Sequence, residues 1–136
     1  MTDTSPVARC SENVPAVAAA ADKTTNICRV PFAATVASVT YAPDTVLTGA
    51  NTESRTCSLV NKGQAGSGTT VVALKAFVST VNAPADDETT ITLSVTAADL
   101  VVTEGDILEW VSTHVGSTGL ADPGGMVVVS FQRTYA

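Results

Sequence analysis

Gly105-Asp-Ile-Leu-Glu-Trp-Val-Ser-Thr-His-Val115, Gly116-Ser-Thr-Gly-Leu-Ala-Asp-Pro-Gly-Gly125 and Met126-Val-Val-Val-Ser-Phe131 decide the fold. A Gly-Asp turn, a strand, a long glycine-rich loop and a closing strand describe a β-sandwich rather than an enzyme pocket. Glu109 is costly to bury without a partner. Leu108 and Trp110 therefore face inward, and Ile107, Glu109 and Val111 face outward. Ser112 and His114 share the parity of Trp110 near the strand end, where water reaches them. In the closing strand Val127, Val129 and Phe131 alternate with Met126, Val128 and Ser130. Both faces begin apolar, so this strand is either central or covered by a neighbouring subunit.

Upstream segments read the same way. Thr69 to Val81 carries two stripes, Val72-Leu74-Ala76-Val78 and Val71-Ala73-Lys75-Phe77. Lys75 marks the second as the open one, which makes Leu74 a core residue and Phe77 a contact candidate. Val30, Phe32, Ala34 and Val36 share one parity, and Val39 and Tyr41 take the other. A bulge at Ala37-Ser38 reconciles them. Val46-Leu47 suggests a short strand. Thr52 to Asn61 points Cys57 and Leu59 inward and leaves Arg55 at the rim. Ile91, Leu93 and Val95 alternate with polar neighbours, and Thr96-Ala-Ala-Asp99 reads as a capping box opening one helical turn. These segments amount to seven or eight strands separated by Gly- and Pro-containing turns. The pattern is all-β, an antiparallel sandwich or jelly roll, and βαβ alternation is absent. The expected core is Phe32, Leu74, Leu93, Leu108, Trp110, Val129 and Phe131.

Residues 1–27 lack a period of two. Alanines, Pro6 and Pro15 predict an irregular N-terminal arm, with the sandwich domain spanning 28–136. Val14, Val17 and Ile27 are apolar residues that such an arm would place against a capsid or a neighbouring protomer. Leu120, apolar in a polar loop, and Val128 join them and Phe77 as contact candidates.

Composition limits the functions available. The net charge is -6 and the basic residues are scattered, so nucleic acid is not an expected partner. No apolar run reaches membrane-spanning length. The first residues lack a basic start and apolar segment, so synthesis in a cytoplasm is expected. Only 15% of residues are charged, fewer than a soluble monomer of this size usually shows. Either Thr and Ser tile the surface or part of it is buried against partners.

Cys10, Cys28 and Cys57 form an odd set without paired spacing, read as reduced thiols. With His114 they offer too few ligands for zinc. Asn61 to Gly68 is rich in glycine but lacks the Gly-Lys-Ser/Thr ending of a phosphate cradle. Asp86, Asp87 and Glu88 read as solvated loop acids rather than a calcium site. Ser112 or Ser117, His114 and Asp106 or Asp122 permit a triad on paper, but no nucleophile elbow supports it. Glu104, Asp106 and Glu109 lack the aromatic-lined cleft of hydrolases. Trp110 or Tyr135 would serve as a sugar platform only if exposed. The expectation is a non-enzymatic protein with no metal and no cofactor.

Two stretches carry a family resemblance. One runs from Ser58-Leu-Val-Asn-Lys-Gly63 through the glycine loop to Thr69-Thr-Val-Val-Ala-Leu74. The other is Gly105-Asp-Ile-Leu-Glu-Trp110 with Gly119-Leu-Ala-Asp-Pro-Gly-Gly125 and the last strand. Together they resemble the small β-sandwich capsid decoration (cement) proteins of tailed bacteriophages, especially phages of actinobacteria. The resemblance spans roughly residues 30–133, in turn and strand signatures without catalytic residues. It implies a homotrimer on the outer surface of the virion, bound to the major capsid protein. There it would bridge neighbouring capsomers against internal DNA pressure. The rival reading on the same scaffold is a receptor- or glycan-binding head-fibre or tail appendage.

Overall fold

The computed structural model describes residues 7–134 as two packed antiparallel sheets. In chain order the strands are β1 (Val7–Val14), β2 (Lys23–Arg29), β3 (Ala34–Pro43), β4 (Ser54–Asn61), β5 (Thr70–Phe77), β6 (Thr89–Thr90), β7 (Val101–Val102), β8 (Ile107–Val115) and β9 (Gly125–Arg133). A single 3-10 turn, Ala97–Leu100, precedes β7. One sheet runs β1-β9-β3-β6, with β7 also on β3, and the other runs β2-β8-β4-β5. β9 is central, between β1 and β3, which resolves the alternative left open for it.

The N-terminal segment is irregular over a shorter span than the expected arm. Residues 15–22 form the irregular stretch, but the chain on both sides of it is paired. β1 runs along β9 from Val7↔Gln132 to Val14↔Gly125, and β2 runs along β8. Val14, Val17 and Ile27 are consequently buried within the chain itself. β1 hides its period because it is an edge strand. Ala8, Cys10 and Val14 share its inward parity with an exposed Glu12, which opens to water at the sheet margin. In β2 the register shifts between Asn26 and Cys28. That bulge breaks the alternation that periodicity reads.

The core is the row of inward residues between the sheets. Val36, Val39, Tyr41, Val127, Val129 and Phe131 meet Ile27, Leu59, Phe77, Leu108 and Trp110, all buried. Tyr41 and Trp110 pack with ring centroids 5.4 Å apart and planes tilted by 49°, within the range of favourable aromatic pairs. The bulge expected near Ala37-Ser38 is present: Val36 pairs with Phe131 and Ser38 with Ser130. Phe32 and Leu93 are only half-buried at the core margin, and the Arg133 guanidinium lies 4.7 Å from the Phe32 ring centre.

Strand β5 corrects the sequence reading. Phe77 is buried opposite Arg55, while Leu74 is 45% exposed opposite Ser58. Lys75 misled the parity. It pairs with Cys57 on the inward side of an outer strand, where it is half-buried. There a lysine can bury its stem and still keep its ammonium in water. A register shift opposite Leu59-Val60 leaves Val72 as the extra residue and also buries it.

Both open sides of the sandwich are closed. On one, residues 89–94 cross between the sheets. Thr90 pairs with Thr40, Ile91 N donates to Val39 O, and Ser94 N donates to Val72 O. On the other side Cys10 of β1 is disulfide-bonded to Cys28 of β2. The reduced-thiol expectation thus fails for two of the three cysteines. Folding brings together residues 18 positions apart on different sheets, a proximity that spacing alone does not reveal. Two further local readings change. Val46-Leu47 contributes only a bridge, Leu47↔Ala83. Thr96 makes no side-chain cap, and Asp99 instead accepts from Ser94 Oγ at 2.6 Å.

Candidate interaction surfaces and the buried polar network

Beneath the glycine-rich loop lies a polar network that sequence reasoning missed. Arg55 is fully buried, opposite Phe77 and His114 in the strand registers rather than at the rim. Its guanidinium donates to the carbonyl oxygens of Ala18, Ala19 and Ala21 at 3.0–3.3 Å. It also donates to Leu120 O and to Ser112 Oγ. Ser112 in turn donates to Asp122 Oδ2 at 2.6 Å. The Tyr41 hydroxyl donates to Asp122 Oδ1, and so does Gly124 N at 3.0 Å. A buried cation and a buried anion are thereby joined through one serine hydroxyl. Each has its hydrogen-bonding capacity met by groups from distant segments, the condition for tolerating buried charge.

The network fastens two irregular pieces, residues 15–22 and 116–124, to the sandwich. Val17 and Asp122 complete the joint with reciprocal backbone hydrogen bonds of 2.8 and 2.9 Å. Gly124 stands at φ 77°. A Cβ there would lie 2.7 Å from Ala16 N, and one on Gly125 would lie 2.2 Å from Ala42 O, so both turn glycines are dictated by close approach. Burial and the neighbouring Asp122 charge push the Tyr41 phenol well above its ordinary pKa. Burial does the same to the Cys57 thiol, leaving it protonated and inert.

The catalytic constellation that can be written on paper is dispersed. Ser112 belongs to Arg55 and Asp122. His114 Nδ1 lies 2.6 Å from Asp22 Oδ1. Ser117 donates to Glu53, and Asp106 accepts from Asn61 and Thr103. Glu53 also accepts from the backbone N–H groups of Gly119 and Thr118, which lower its pKa to about 2. These carboxylates organise loops. Among the described residues, no group of three or more His, Cys, Asp and Glu side chains is arranged to hold a metal ion. None of the described helices is long and apolar enough to cross a membrane. Trp110 is buried, and Tyr135 lies outside the described residues.

What the fold presents outward is two sheet faces. Residues paired across strands share a face, so the registers give each surface directly. On the four-stranded sheet one rung reads Thr24-Val111-Ser58-Leu74 and the next Asn26-Glu109-Val60-Val71, with Thr113-Thr56-Ala76 beyond. Glu109 is the only charged side chain in these three rungs. Leu74 is 45% and Val71 39% exposed. On the five-stranded sheet the rungs are Arg9-Ser130-Ser38, Ser11-Val128-Thr40-Thr90 and Asn13-Met126-Ala42. Of the six contact candidates, only Val128 lies on an outer sheet face. Leu120 is half-buried against the core, with its carbonyl held by Arg55. Val71 and Leu74, the exposed apolar residues of the four-stranded face, fall in the sequence pattern on a mixed stripe and on the expected core stripe.

No family model matches the chain, and no curated protein does. Among solved structures the chain is similar to one in the "Structure of infectious bursal disease virus Gx strain", at 7% sequence identity and a TM-score of 0.43. The alignment covers 93% of this chain and 32% of that one, so this chain spans about a third of its length.

Proposed function

We propose that this chain is a structural virion protein of the capsid decoration type. In this reading it is made in the host cytoplasm and binds the outer surface of the major capsid protein shell. As a homotrimer it holds neighbouring capsomers against internal DNA pressure. The observation that carries the reading is the outer face of the four-stranded sheet. It carries Val71 and Leu74 exposed and Val60, Ala76 and Val111 half-exposed, among short polar side chains and a single charge, Glu109. Contiguous apolar surface of this kind marks a contact site. A cement needs contact area rather than chemistry, and a trimer multiplies each weak contact through effective concentration. The disulfide suits a particle released into oxidising surroundings. The rival appendage reading loses Trp110 as a sugar platform, because that ring is buried.

Co-sedimentation with emptied, expanded shells of the cognate major capsid protein tests the proposal. Leu74→Asp combined with Val71→Asp is expected to abolish binding while thermal unfolding stays near that of the parent. Val95→Asp, at a fully exposed position, is expected to bind normally. Undiminished binding by the double variant removes this face from the reading. Glycan binding without shell binding selects the appendage.

A further inference from the structure

We propose that the outer face of the five-stranded sheet is a self-complementary contact between two copies of this chain. Arg9 stands at the β1 edge on the Ser130 rung. Asp86 and Glu88 stand at the opposite edge, beside β6 and the Met126-Ala42 end of the face. Asp86 N is fixed to Pro43 O at 2.8 Å. All three line one open depression of about 490 Å³ whose floor includes Thr40, Met126 and Val128. The two signs of charge therefore sit at diagonal corners of an otherwise neutral surface, and Met126 is 44% exposed between them. Among the described residues, none of these three charges forms an ion pair within the chain.

A second copy is the occupant this pattern fits. A partner of a single charge sign matches one corner and is repelled at the other. A two-fold axis lying in the face, perpendicular to the Arg9-to-acid diagonal, exchanges the corners. Each Arg9 then meets the other copy's Asp86 and Glu88, the reciprocity of an isologous interface. Val128, on the middle rung, comes close to its own counterpart. Ser11, Ser38, Thr40 and Ser130 have short side chains, so a second sheet can approach to about the 10 Å spacing of packed sheets. The net charge of -6 makes two copies repel, and the cross-paired arginines counter this where the faces touch. The contact uses the sheet opposite to the proposed capsid-binding face. It is compatible with a three-fold assembly free of the shell, because two trimers meeting through these faces are related by two-folds perpendicular to their common three-fold axis.

Cross-linking tests this in the absence of any capsid. In the oxidised protein the remaining thiol, Cys57, is buried, so an introduced cysteine is the accessible one. Val128→Cys treated with a short bis-maleimide cross-linker, which spans the gap between sheets about 10 Å apart that a disulfide cannot, is expected to give a two-chain band on a denaturing gel. Val95→Cys, fully exposed and remote from the face, sets the level of random collision. Adding Arg9→Glu to Val128→Cys should reduce the band to that level. Further adding Asp86→Arg and Glu88→Arg should restore it, because the corners are complementary again. A Val128→Cys band no stronger than that of Val95→Cys overturns the proposal. So does a band that Arg9→Glu leaves unchanged, or one that the full charge exchange fails to recover.

Discussion

Replacing Arg55 with Met keeps an unbranched stem of similar length and removes the guanidinium. Hydrogen bonds to Ala18 O, Ala19 O, Ala21 O, Leu120 O and Ser112 Oγ are lost together. The alanine carbonyls lie in a surface segment and recover water once it lifts. Asp122 does not. It is 1% exposed and keeps only neutral donors after the cation is gone. Breaking one side of a buried charge arrangement costs about 3–5 kcal/mol, which for a domain of this size lowers Tm by about 10–20 °C. Urea unfolding of the purified protein reads the difference as a change in midpoint at constant slope. Hydrogen exchange supplies a local signature: the amides of Val17 and Asp122, which pair with each other's carbonyls, should lose protection before those of β3 and β9. Arg55→Lys restores a point charge without the fork, and its loss should be intermediate. A cost under about 1 kcal/mol for Arg55→Met, the level of an exposed ion pair, would refute the view that this network holds the two irregular segments.

Trp110→Ala should cost about 3–5 kcal/mol in urea unfolding, the range for truncating a large buried aromatic; an unchanged midpoint would place the indole outside the core. Cys10→Ser should destabilise by about 3 kcal/mol for a loop of this size. In the native parent, alkylation should label no cysteine until the chain unfolds or a reductant is added. Glu53 titrates low in the folded state, at about 2. Its stabilising effect is therefore complete above the ordinary glutamate pKa and disappears as pH falls from about 4.5 toward 2. Glu53→Gln should flatten the fall of Tm across that window, and parallel curves for the two proteins would contradict the loop-anchoring role.

Strand alternation carried much of the architecture. Leu108 and Trp110 against Glu109, and Val127, Val129 and Phe131 against their neighbours, declare two-sided strands in a chain poor in helical periodicity. The Ala37-Ser38 bulge is legible because two apolar registers of opposite parity meet there. Edge strands defeat the same reasoning. β1 carries Glu12 and β5 carries Lys75 on inward parity, since the inner side of an outer strand opens to solvent at its margin. Periodicity records burial rather than pairing. The N-terminal residues therefore looked like an arm, although their backbone completes both sheets.

The buried network lay further from view. Arg55, Ser112, Tyr41 and Asp122 are separated by as many as 81 positions. Each alone looks like an ordinary rim or turn residue. Their charges become bearable inside only because the fold delivers the matching carbonyls and hydroxyls to one place. The Cys10–Cys28 bond and the diagonal of Arg9 against Asp86 and Glu88 arise in the same way. The local sequence determined that this chain makes strands and turns, through side-chain alternation and glycine placement. Tertiary structure alone decided which strands are edges, which polar groups meet and which faces stay open, because those depend on register between segments with no sequence relation to one another.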